Sequence, residues 1–200
     1  MTGKSQQAEI SEREKRIFTS LDVSNSKSVT ARAIIERLEE MGILPDDQRI
    51  EPLIEQLEKF PKKNSIDIEN FCRIIRPSID IVERAVQGNM IIPDFLDFRK
   101  TINNIYEKSK LNTEGTVANY IPQLGRVEPE QFAVSVCTVD GQRHSIGDHE
   151  VDFCVQSCSK PITYCLALEE HGEETVHKYI GREPSGRGFS ELTLNHEGKP

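Results

Sequence analysis

The hydrophobic period of this chain changes once, and that change restricts it to folds in which a helical part precedes a part containing sheet. Between residues 12 and 108 apolar side chains recur at spacings of three and four, the signature of helices with one buried face. Ile17, Phe18 and Leu21 give the first face, and Ile34, Ile35, Leu38 and Met41 the second, ending at Gly42. A third carries Ile50, Leu53, Ile54 and Leu57, with Asp46 or Asp47 as expected cap and Pro52 either kinking it or delaying its start. Further helices follow around Phe71 and Ile75, around Val82, and from Phe95 to Tyr106, so a small helical bundle is expected. The polar stretch Leu111-Asn-Thr-Glu-Gly-Thr116 then reads as a linker or exposed loop. Beyond it, Phe132-Ala-Val-Ser-Val-Cys-Thr-Val139 is rich in β-branched residues and apolar on both faces, which predicts a buried strand. Asp140-Gly141 predicts a two-residue hairpin turn, and Gln142 to Ile146 the returning strand. A last short helix is expected from Glu173 to Ile180, closed by Gly181.

Two loops of the helical part share a pattern. Asp22-Val-Ser-Asn-Ser-Lys-Ser-Val29 sets oxygens at alternate positions with an apolar residue at the eighth, and Ile66 takes the same place between Lys59 and Asn70. Both resemble the loops of an EF-hand pair, with one short apolar contact between them. Lys27 stands where the turn wants glycine, and Ala33 and Asn70 where a bidentate glutamate belongs, so the expectation is a packing module without metal.

The residues that carry chemistry lie after the hairpin. Ser157 follows the apolar run Phe153-Cys-Val155 and enters a helix, with Lys160 three residues on. That spacing puts hydroxyl and amine on one face, where a lysine kept neutral by burial can take the serine proton. The expected dry wall is Phe153, Cys154, Val155, Ile162, Cys165, Leu166 and Leu168. Ser-x-x-Lys is a short pattern that Ser24-Asn25-Ser26-Lys27 also fits in a polar loop, and Ser157 as a plain helix cap is the competing reading. Five cysteines give no Cys-x-x-Cys pair and no even disulfide framework. Cys154, Cys158 and Cys165, with His144 or His149, raise a metal site, but their apolar neighbours favour core packing. Arg182 to Phe189 is glycine-rich without phosphate-loop spacing and reads as a surface loop.

A net charge of −8 over 200 residues argues against nucleic acid or an anionic membrane surface as a main partner. No apolar stretch reaches the roughly 18–20 residues of a membrane span, and the first residues resemble neither a secretory signal nor an Arg-rich transit peptide. The organisation expected is a disordered N-terminus over 1–11, the bundle over 12–110, and a second domain over 117–200.

Four runs in that second part belong together: Tyr120-Ile-Pro-Gln-Leu124, Val134-Ser-Val-Cys-Thr-Val-Asp-Gly-Gln-Arg-His-Ser145, Phe153-Cys-Val-Gln-Ser-Cys-Ser-Lys-Pro161 and Gly181-Arg-Glu-Pro-Ser-Gly186. In this order they resemble the animal glutaminases of kidney and liver type, whose N-terminal EF-hand-like bundle the first part is similar to. The resemblance implies an α+β fold: the bundle, then the N-terminal part of a β-lactamase/penicillin-binding-like domain with an antiparallel sheet and helices. It implies hydrolysis of L-glutamine to L-glutamate and ammonia without a cofactor, with Ser157 as nucleophile, Lys160 as base, and Tyr120 and Gln156 at the substrate. It further implies a homotetramer, phosphate as an activator, and a mitochondrial location, with the cytoplasm as alternative. An interface loop is implied at Phe189 to Asn195, where Thr193 replaces an aromatic residue of the kidney type. About the first third of such a catalytic domain is present, so little activity is expected of these 200 residues alone. Two other readings stay open: a non-catalytic module that binds full-length subunits, and a penicillin-binding enzyme resting on the Ser-x-x-Lys pattern.

Overall fold

The computed structural model describes residues 9–60, 65–184, 186–188, 191 and 193–200. The expected disordered N-terminus therefore falls largely outside the described residues, as does part of the second EF-hand-like loop. The contacts divide the chain into two compact units that meet between Glu150 and Val151.

The first unit begins with helices whose ends follow local chemistry. Helix α1 (Glu12–Leu21) starts with a capping box in which Ser11 and Glu14 satisfy each other's backbone N–H. Helices α2 (Ala31–Glu40), α4 (Ile68–Ile75) and α6 (Phe95–Lys110) are capped by Thr30, Asp67 and Asp94. Helix α3 (Glu51–Glu58) departs from the expected cap: Ile50 holds that position without a side-chain hydrogen bond. Pro52 sits in its first turn, where a missing N–H is harmless, so it delays the start and produces no kink. Asp47 instead accepts the N–H and guanidinium of Arg49. Helix α5 (Ile79–Gln87) completes the set and stops at Gly88 in the left-handed conformation.

Strand β1 (Val29–Thr30) pairs antiparallel with β2 (Ser65–Ile66), and the register sets Val29 opposite Ile66, both buried. This is the inter-loop apolar contact expected from the sequence. Asp22 closes the first loop by accepting the backbone N–H groups of Ser26 and Lys27 at 2.9 and 2.7 Å. Below the loops, Ile17, Ile34, Leu38, Leu53, Leu57, Phe71, Ile74, Ile75 and Val82 form one core, with Phe18 edge-on to Phe71. Each such side chain contributes about 1.5–3 kcal/mol by leaving water. Glu14 is buried there and ion-paired with Arg76 at 2.6 Å.

Strands β3 (Ala133–Cys137) and β4 (Arg143–Gly147) form the expected hairpin, with Ser135 opposite Ser145. Two corrections apply. The turn is one residue longer than predicted, because Thr138 pairs with Gln142 and leaves Val139, Asp140 and Gly141 as the loop. A three-residue turn of this kind needs a left-handed third residue, and Gly141 supplies it with φ of +87°. The strand is also not buried: Ala133, Ser135 and Cys137 are exposed and the valines between them half-buried. A sheet of two strands has no neighbour on its outer face to cover them. The hairpin rests on α6, where the Tyr106 ring stacks on Phe132 at 4.9 Å and its hydroxyl donates to the Phe132 carbonyl.

The second unit contains a 3-10 turn, Gln156–Cys158, running into α7 (Ser159–His171), then α8 (Glu173–Val176) after Gly172. The expected helix to Ile180 thus ends early, its remaining residues continuing as hydrogen-bonded turns. Gly181 donates to the Pro200 carbonyl at 2.8 Å, which ties the end of the chain to the turn after α8. The architecture is α+β.

Candidate active site

Ser157 is the middle residue of the 3-10 turn, and Lys160 the second residue of α7. Gln156, just before the serine, has φ of +46°, a left-handed conformation that costs a non-glycine residue of order 1 kcal/mol or more. The serine thus leaves the incoming chain on a sharp bend and enters the helix within one turn. Pro161 falls in the first turn of α7, where it is tolerated.

The helix-cap alternative for Ser157 does not hold. Cys158 is the N-cap of α7 and no side chain caps the helix, while the Ser159 hydroxyl donates back to the Gln156 carbonyl at 2.7 Å. The Ser157 hydroxyl is therefore not committed to capping.

The dry setting expected around Ser157 is absent from the described residues. Ser157 and Lys160 are both exposed, Phe153 is 76% exposed, and Val155, Ile162 and Leu166 are exposed as well. Cys154, Cys158 and Cys165 are exposed free thiols, which corrects the expectation that they pack in a core; Cys72 alone of the five is buried. The physical reason lies in α7 itself. Its apolar residues run around most of its circumference, the pattern of a helix buried on several sides, whereas among the described residues of its own unit α8 is the helix that packs against it. That contact includes the Tyr164 hydroxyl and His177 Nε2 at 2.9 Å.

Among the described residues no group of three His, Cys, Asp or Glu stands close enough to hold a metal ion. His144 is occupied otherwise: a ring nitrogen lies 2.7 Å from the Asn103 side-chain oxygen, and burial, with Arg99 nearby, holds its pKa below the ordinary value. The second unit's cavity, about 450 Å³, is lined by His177, Arg182, Leu194 and Pro200 and not by the serine or lysine. Of the glycine-rich loop, residues 185 and 189 lie outside the described residues, as do 190 and 192 of the Phe189–Asn195 segment; Arg182 pairs with Glu173.

The structure brings Gln156, Ser157 and Lys160 together within one turn and the helix it starts. Tyr120 belongs to the first unit, in an irregular stretch, and is 70% exposed. Sequence reasoning missed two buried polar side chains: Asp140, read only as a turn residue, and Gln142, read only as the start of the returning strand.

Comparison with known proteins separates the chain at nearly the same places as its hydrophobic pattern does. Residues 115–200 match the glutaminase family, and residues 13–93 match an EF-hand domain. Residues 115–200 are a glutaminase-family segment. A Caenorhabditis elegans protein provisionally named glutaminase 2 is 40% identical over 200 residues, covering 94% of this chain and 33% of its own length. The mitochondrial liver isoform of glutaminase from Mus musculus is 38% identical over 167 residues, covering 82% of this chain and 28% of its own. A glutaminase from Nostoc is 45% identical over 118 residues, with 58% and 35% covered. The chain thus spans about a third of the length of the glutaminases it matches. Both helical EF-hand region and glutaminase segment are those expected from the residues, and the match through 115–200 sets the penicillin-binding reading aside.

Proposed function

We propose that the protein to which these residues belong hydrolyses L-glutamine to L-glutamate and ammonia, with Ser157 as nucleophile and Lys160 as its base. The observation that carries this is the position of Ser157, uncommitted to capping, on a strained bend inside the segment that matches the glutaminase family. Its oxygen attacks the side-chain amide carbon of glutamine while Lys160 takes the proton and passes it to the departing ammonia. Water then cleaves the glutamyl ester and restores the serine. The Ser157 N–H contributes one donor to the developing oxyanion, and Tyr120 and Gln156 hold the substrate. No cofactor is needed, since amide hydrolysis asks only for a nucleophile, a base and an oxyanion site.

A lysine acts as base when burial or a neighbouring cation disfavours its charged form. Lys160 is exposed, so a polypeptide of these 200 residues alone has little or no turnover, and the active enzyme needs further glutaminase residues to exclude water. Those residues complete the β-lactamase-like domain of which the hairpin and α7 are the beginning. Assembly as a homotetramer, activation by phosphate and a mitochondrial location accompany this reading, the last supported by the similarity to the mitochondrial liver isoform of the mouse.

Ammonia release from glutamine tests both statements. In the longer protein, Ser157→Ala should lower kcat by about 10⁴-fold or more with folding intact. Retained turnover in that variant would overturn the assignment, and ordinary turnover by the purified 200-residue chain would overturn the need for more residues. The second reading, a non-catalytic module that binds full-length subunits, is favoured by the apolar surface that α7 and Phe153 leave open. It predicts that Ser157→Ala changes nothing.

A further inference from the structure

The tip of the β3–β4 hairpin is sorted against hydrophobicity. Val139, its apolar residue, is 96% exposed, whereas Asp140 is 8% exposed and Gln142 fully buried. Burial of polar groups is unfavourable unless each donor and acceptor finds a partner, so an arrangement of this kind requires a surface built to meet them. The helical bundle supplies it.

Every polar atom of the Gln142 amide is matched by backbone. Its oxygen accepts the Ile92 N–H at 2.9 Å, and its nitrogen donates to the carbonyls of Met41 and Ile92, both at 3.0 Å. One oxygen of Asp140 accepts the Ile91 N–H and the Arg84 guanidinium, each at 2.9 Å, and the other accepts the Thr138 hydroxyl. The Asp140 carbonyl accepts Arg49 Nη1 at 2.7 Å, with Arg49 itself held by Asp47. Arg143 donates its N–H to the Gly42 carbonyl at 2.8 Å and pairs through its guanidinium with Asp46. Gly42, which offers that carbonyl, has φ of +77°, and a Cβ there would strike the Phe95 ring of α6, so only glycine fits at this point of the corner.

The partners come from four places: the end of α2, the Asp46–Arg49 loop, α5, and the loop joining α5 to α6. All are in the EF-hand part of the chain or its edge, while the turn belongs to the glutaminase segment. Met41 lies just past the C-terminal end of α2, with the β1–β2 loop pair at the other end of that ten-residue helix, about 15 Å away.

We propose that this corner of the bundle is a receptor for the Asp140-Gly141-Gln142 turn, and that the EF-hand region serves the glutaminase segment by holding its first hairpin in place. Recognition is of a peptide turn, read through one primary amide, one carboxylate and an extended N–H. It uses a face of the bundle remote from the loops where an EF-hand pair would hold cations.

Hydrogen exchange of the whole chain, followed by mass spectrometry or NMR, tests this without reference to activity. Gln142→Glu keeps the size but turns an oxygen toward the Met41 and Ile92 carbonyls. Amides of residues 133–147 should then exchange roughly a hundredfold faster, while those of α2, α4 and α5 stay within about threefold of the parent. Unchanged hairpin protection would overturn the proposal. So would equal acceleration of bundle and hairpin, because the two would then be one cooperative core rather than receptor and docked element. Should Gln142→Glu fail to fold, Arg84→Met removes the ion pair with Asp140 together with a hydrogen bond to the Asn89 carbonyl and is read in the same way, with about tenfold as the expected acceleration.

Discussion

Helices α4 and α7 carry five and six apolar residues and are opposite in fate. Over eight residues α4 buries Phe71, Cys72, Ile74 and Ile75, whereas none of the thirteen residues of α7 is buried. The difference is one of distribution and neighbours. The apolar residues of α4 gather on the side that α1 and α3 cover, so each is removed from water at once. Those of α7 face several directions, and α8 covers one. Hydrophobicity therefore decides that a helix will be buried only where its surroundings are also present, and among the described residues of the second unit α8 supplies them on one side of α7.

The comparison breaks first on thiol chemistry. Burial pushes the Cys72 thiol up to about 11, while Cys137, Cys154, Cys158 and Cys165 are exposed. A disulfide reagent at pH 7.5 should modify these four promptly and Cys72 at least about a thousandfold more slowly, at the rate of global opening. Equal rates would mean that the bundle core is no better formed than α7.

Truncations sharpen the same contrast. Phe71→Ala should lower the stability of the bundle by about 3–5 kcal/mol, and Phe153→Ala should change it by less than about 0.5 kcal/mol, as read from denaturant midpoints. In a protein containing the remaining glutaminase residues, the cost of Phe153→Ala should rise toward that of Phe71→Ala.

A third prediction concerns pH. The Arg76 guanidinium, outweighing the cost of burial, holds the Glu14 carboxyl down at about 2 from an ordinary 4.5. Since the folded value is the depressed one, the stabilisation is complete above about 4.5 and is lost as pH falls from there toward 2. Allowing for solvent around the partly exposed Arg76, about 2–3 kcal/mol should disappear over that window, and Glu14→Gln should flatten it. Denaturation midpoints between pH 6 and 2 measure both.

The smallest expected effect separates capped from uncapped helix starts. Thr30→Ala removes the hydroxyl that accepts the Ala33 N–H and should cost about 1 kcal/mol. Cys158→Ala, at an N-cap with no side-chain hydrogen bond, should cost a few tenths at most.

Much of the first unit was legible because its signals are local. Helix faces and the pairing of Val29 with Ile66 follow from the spacing of apolar residues and of the oxygen-bearing side chains in the two loops. The cap of α3 was not legible, because Pro52 in the first turn removes a donor and Asp47 found a better partner in Arg49. Nor was the length of the hairpin turn, since Asp-Gly serves both two- and three-residue loops and the choice here sets Gln142 against the bundle. At the candidate site, Ser157 and Lys160 could be singled out by their neighbours in sequence, but their exposure could not, because a wall is made by residues distant along the chain.

By itself the sequence determined which stretches form helices and strands, where the two EF-hand-like loops lie and which family the second part resembles, because those signals sit in residues near one another along the chain. Only the tertiary structure decided that two polar turn residues are buried while an apolar helix is not. Burial and hydrogen-bond satisfaction depend on what the rest of the chain places alongside: a fitted bundle corner for Asp140 and Gln142, and for α7 a single short helix.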